Sequence, residues 1–77
     1  MEKYIIRLKT MEDVKSFNEL ASRSETQIDV KCRRAFVDAK SLLGVLSLGL
    51  SQTLEVLCSA HDEEFAHGIR KYCVCGG

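Results

Sequence analysis

The sequence predicts an α+β fold with element order βαββαβα: one four-stranded antiparallel sheet, strand order 1-4-2-3, with three helices on one face. Three observations predict it. Four short segments alternate apolar and polar residues, the period-two pattern of a half-buried strand. Three intervening segments open with helix-capping residues and carry apolar residues at helical spacing. Each strand offers one apolar face, so the simplest packing puts every helix on that side. Right-handed crossovers then place the last strand between the first and second.

Residues 3 to 9 alternate, with Tyr4, Ile6 and Leu8 on one side and Lys3, Ile5, Arg7 and Lys9 on the other. Thr10 precedes Met11, Glu12 and Asp13, and a threonine N-cap with acids in the first turn favours a helix start. Met11, Val14, Phe17 and Ala21, with Leu20 nearby, recur at helical spacing and carry this helix to about Ser22. After the polar connection Arg23, Ser24 and Glu25, residues 26 to 32 turn Ile28, Val30 and Cys32 inward. Arg33-Arg34 is a tight turn that lacks the usual glycine, and a third strand covers Ala35 to Asp38. A leucine-rich helix runs from Ser41, a natural N-cap, to Leu48, stopped by Gly49, which reaches left-handed angles cheaply. Residues 53 to 59 form the fourth strand with Leu54, Val56 and Cys58 inward. Asp62, Glu63 and Glu64 open the last helix, with Phe65, Ile69 and Tyr72 on its inner stripe.

Composition narrows the function. The 77 residues give room for one domain, 1–77, with a modest core. Eleven basic residues balance eleven acidic ones, so charge points to neither nucleic acid nor an anionic membrane. No apolar run is long enough for membrane insertion, and MEKYIIRLK does not read as a signal peptide. The expected location is the cytoplasm, with reduced thiols rather than disulfides for the four cysteines.

The run Val37-Asp38-Ala39-Lys40-Ser41-Leu42-Leu43-Gly44-Val45-Leu46-Ser47-Leu48-Gly49 resembles HPr, the histidine phosphocarrier of the bacterial sugar phosphotransferase system. The likeness continues into Leu54-Glu55-Val56-Leu57 and the acidic start of the last helix. It implies the open-faced sandwich; periodicity alone reaches only a ferredoxin-like or similar α+β class. It also implies that Ser41 is a candidate for regulatory phosphorylation and that Leu42, Leu43 and Leu46, beside Lys40, form a partner surface. Residue chemistry leaves plainer readings open. Ser41 can be a simple N-cap. The leucines can be core, although a two-turn helix cannot hide six large side chains on one side.

The phosphoryl site is where the chain departs from the resemblance. The family carries phosphate on a histidine just before the first helix, in a Gly-x-His-Ala-Arg-Pro pattern. Ungapped counting from Ser41 puts Thr10 at the histidine, Met11 at the alanine, Glu12 at the arginine and Asp13 at the proline. A cap replaces the nucleophile, and two carboxylates stand where phosphate needs positive charge. The expectation is a non-enzymatic, cofactor-free and metal-free binding or regulatory protein. Its partners are expected to be phosphotransferase-system or regulatory proteins, and its state a monomer or a weak homodimer. The alternative is an active phosphocarrier with a non-standard acceptor. His61 comes after the fourth strand, at the opposite pole from Thr10, and His67 lies inside the last helix; neither is expected to serve. Cys73-Val74-Cys75-Gly76-Gly77 invites two further readings, a zinc site with His61, His67 or Cys58 and a C-terminal thiocarboxylate. The plain reading is a helix end with free thiols. Ile5 and Leu57 face the bare side of the sheet on neighbouring strands and read either as isolated exposed residues or as the seam of a weak homodimer.

Overall fold

Side chains alternate along a strand, so its register decides what meets the helices. The computed structural model describes residues 1–74. It places β1 at Glu2–Arg7, α1 at Met11–Ser22, β2 at Ile28–Cys32 and β3 at Ala35–Asp38. α2 spans Leu42–Ser47, β4 Thr53–Cys58 and α3 Glu63–Ile69, which tightens into a 3-10 turn at Arg70–Tyr72. The sheet order is β1-β4-β2-β3, all antiparallel, as expected.

Register stacks the inward residues across the sheet. Val56 lies opposite Tyr4 on one side and Val30 on the other, and Val30 in turn opposite Val37. The helices cover this face with Val14, Phe17, Leu20 and Ala21 from α1, Val45 from α2, and Phe65 and Ile69 from α3. Phe17 meets Phe65 and Tyr72 edge-on, each at 6.3 Å between ring centroids. Such pairs contribute about 1 kcal/mol each beyond their buried area.

Left-handed backbone occurs at Arg33, Gly49 and Ser51. In the β2–β3 hairpin Arg33 takes φ 56° where a glycine is usual, at a cost of about 1–2 kcal/mol. Gly49, at φ 89°, ends the α2 region without that cost.

Three expectations are corrected. Met11 is exposed, because the side chain of a first-turn residue tilts past the helix end. Leu46, expected to be exposed with Leu42 and Leu43, is only partly exposed and packs against the core. The chain beyond Tyr72 is not a loose helix end. Cys73 bridges Ile6 and the Val74 amide donates to the Ile5 carbonyl at 2.9 Å, which covers the open edge of β1 where backbone groups would otherwise stand unpaired. The remaining tail readings, which involve Cys75, Gly76 and Gly77, lie outside the described residues.

Candidate functional site

Thr10 stands with extended backbone at the start of α1, and its Oγ1 accepts from the Asp13 amide at 3.0 Å. The Asp13 carboxylate reaches back and accepts from the Lys9 amide at 3.1 Å. Two amides at this end are thereby satisfied by the chain itself. Beside it lies a cleft of about 440 Å³ lined by Arg7, Lys9, Glu12, Asp13 and Ser16 from the α1 side and by Lys71 to Val74 from the chain end. Three cations face two carboxylates there. The cleft is therefore less hostile to anions than Glu12 and Asp13 alone suggest, because folding brings in Arg7 from β1 and Lys71 from the chain end. Among its described lining residues there is no histidine.

Ser41 stands at the start of α2, exposed, with Oγ accepting from the Gly44 amide at 3.1 Å. A Cβ at Gly44 would sit 3.2 Å from that Oγ and 3.3 Å from the Val37 Cβ, so glycine suits this close cap. The first turn of α2 carries no acid. The turn before it is set by Asp38, which accepts from the Lys40 amide through its carboxylate and from the Ser41 amide through its carbonyl. Lys40 is not a loose cation: its Nζ donates to the Ser24 carbonyl at 2.7 Å. Leu43 is 80% exposed and Leu42 36%. Leu50, absent from the expected patch, is also exposed. It sits next to Ser51, whose amide donates to the Leu8 carbonyl at 2.7 Å. These bonds lay α2 antiparallel beside α1. Its beginning is tied near the end of α1, through Lys40 to Ser24 and through Asn18 to the Ala39 carbonyl. The loop beyond α2 reaches the chain just before Thr10. The structure thus does not bring Thr10 and Ser41 together; it holds them at opposite ends of a helix pair.

The histidines lie elsewhere. His61 precedes α3, with Nδ1 2.7 Å from Glu2 and Nε2 2.9 Å from Glu63. Carboxylates only accept, so the two bonds form together only when the ring is protonated and both nitrogens donate. The hydrogen bonds to Glu63 and Glu2 raise its pKa above the ordinary 6.5. The Tyr4 hydroxyl, donating at 2.7 Å, and then His61 lower the pKa of Glu2. Burial, then this bond to Glu2, pushes the tyrosine pKa up. His67 is exposed on α3. Cys58 faces the core, and burial pushes its thiol up to about 11. No cluster of metal-ligating side chains occurs among the described residues. No helix among them is long and apolar enough to cross a membrane.

Sequence reading missed Ser24, which is buried although polar. Its hydroxyl donates to Asp62 at 2.6 Å, and its carbonyl takes Lys40. Asp62 caps α3 through the Phe65 amide. One residue of a polar connection thereby ties the starts of α2 and α3 together, and only folding reveals it.

A family model described as "PTS HPr component phosphorylation site" matches residues 13–70. Its matched stretch begins after Thr10. Two solved structures are similar. HPr-C-His from Thermoanaerobacter tengcongensis is 26% identical, with a TM-score of 0.77, covering 92% of this chain and 89% of its own. A phosphocarrier protein HPr from Bacillus anthracis str. Ames is 20% identical, with a TM-score of 0.74, covering 95% and 96%, and speaks for the fold. No curated protein matches the sequence.

Proposed function

The chain belongs to the HPr family of the phosphotransferase system, and from that premise we propose that it is a member without phosphocarrier chemistry, a binding or regulatory module that works through α2. The observation that carries this reading is Thr10. At the counted position of the family's nucleophile stands an N-cap whose oxygen is engaged by the Asp13 amide. A threonine hydroxyl without a base is a poor phosphoryl acceptor, and both histidines lie outside the cleft. The exposed Leu42 and Leu43, extended by Leu50, supply the docking surface. Ser41 is the candidate switch, since an added phosphate would enter a first turn free of acids. Phosphotransferase-system or regulatory proteins are the proposed partners.

The test is incubation of the purified chain with phosphoenolpyruvate, enzyme I and labelled phosphate. The expected result is no stoichiometric label. A phosphohistidine or other acid-labile adduct in full yield overturns the reading. One observation favours the second reading, an active carrier with another acceptor: Arg7, Lys9 and Lys71 line the cleft. The labelling of the wild-type chain separates the two, and Thr10→His asks in addition whether the cleft can support a histidine acceptor. We expect no transfer from it, because Glu12 occupies the arginine position; transfer by this single variant would show the three cations to be sufficient.

A further inference from the structure

We propose that the sheet face turned away from the helices is self-complementary and pairs with the same face of a second copy of this chain, about a twofold axis running along the strands. The observation is the order of residues across the ladders. Residues opposite one another in an antiparallel pair share a face. One outward row therefore reads Ile5 on β1, Glu55 on β4, Lys31 on β2 and Phe36 on β3. Its ends are apolar and its centre is an acid beside a base. Phe36 is 58% exposed, an aromatic ring that the fold leaves uncovered.

Turning a second copy about an in-plane axis along the strands lays this row over itself in reverse. Ile5 then meets the second copy's Phe36, and Glu55 meets its Lys31. The centre becomes four charges of alternating sign between two apolar contacts. In the neighbouring row Lys3 comes over the second copy's Asp38, while Leu57 comes over Asp29 and finds no match. The other face-to-face twofold, across the strands through the same row, stacks Glu55 on Glu55, Lys31 on Lys31 and Lys3 on Arg7. Charge at the centre of the face thus disfavours the second arrangement and favours the first, which carries one like-charge approach at its rim, Arg7 toward the second copy's Arg34. Aligned sheets pack about 10 Å apart and about 30° rotated, so the match is best at the centre, where the charged pair lies.

The seam is accordingly Ile5 with Phe36, not Ile5 with Leu57. Four strands spaced about 4.8 Å, each about 20 Å long, offer roughly 400 Å² per copy, about half of the ~800 Å² per partner in a standard stable interface. The dimer is a weak one, formed at high concentration. It leaves α2 uncovered, shares with the cleft only Arg7 at the rim of the face, and does not rest on the function proposed above.

Sedimentation equilibrium of the full chain under reducing conditions, from micromolar to millimolar concentration, tests it. Wild type is expected to dimerise toward the top of the range. Lys31→Glu and Glu55→Lys should each weaken association by about tenfold or more, and the double reversal should restore it. Both charges also face each other within one chain, so Phe36→Lys is the independent check: loss of the dimer at unchanged melting temperature. A wild-type chain that stays monomeric at millimolar concentration overturns the proposal. So does a double reversal that fails to dimerise, or a Phe36→Lys chain that associates like wild type.

Discussion

The starts of α1 and α2 use the same device. Thr10 accepts from the Asp13 amide at 3.0 Å and Ser41 from the Gly44 amide at 3.1 Å. The two ends differ in their first turns. α1 continues with Glu12 and Asp13, one of which closes back on Lys9. α2 continues with two exposed leucines, a glycine and no acid. A cap is a structural requirement that several residue types meet. The residues just inside it decide whether the same helix end welcomes or opposes an added charge. The chain has kept what folds both helices, and its first turns set the two ends apart chemically.

The largest expected effect tests which α2 leucines belong to the surface. Leu46 packs against the core, so Leu46→Glu should cost about 2 kcal/mol or more in urea unfolding. Leu43→Glu should stay within about 0.5 kcal/mol while abolishing binding to any partner recovered by pull-down. Two equally destabilised variants would make α2 wholly core and remove the contrast.

The caps come next. Thr10→Ala and Ser41→Ala should each cost about 1 kcal/mol. Ser41→Asp should be nearly neutral, since aspartate caps as well as serine. Thr10→Asp caps too, but adds a third acid beside Glu12 and Asp13, and should lose stability that added salt restores. Equal tolerance of aspartate at both positions, at low and high salt alike, would show that the first-turn acids are inert.

The smallest effect concerns α3, which sharpens the comparison as an acid-rich start with its own cation. Asp62 caps it, Glu63 and Glu64 come next, and His61 binds Glu63 and Glu2. The folded-state pKa of His61 is raised, so its contribution is complete below 6.5 and fades as pH rises through the raised value. That of Glu2 is lowered, so its contribution is present above 4.5 and fades as pH falls through the lowered value. Both are in place between 4.5 and 6.5. Melting curves of wild type and His61→Gln should differ most in that window and converge above it. In an NMR titration, Glu63→Gln and Glu2→Gln should each lower the His61 pKa. A titration unmoved by either variant would show the clamp to be absent in solution.

The sequence by itself determined the elements, their order and the three caps. Alternation, helical spacing and N-capping act within a few residues, so Thr10, Ser41 and Asp62 are legible without any fold. α1 and β3 fall at the boundaries the pattern predicts. The inward faces of β2 and β4 come from the same local rule. Only the tertiary structure decided what meets across distance. It turned Leu46 inward and left Leu50 outside, tied Lys40 to Ser24, and clamped His61 to Glu2. It also laid Cys73 and Val74 along β1 and put Arg7 and Lys71 into the cleft beside Thr10. Each of these depends on segments far apart in the chain, whose approach is set by packing one core and not by any local spacing. The charge around a helix end is such a quantity, because charges reach it through space from every neighbouring element.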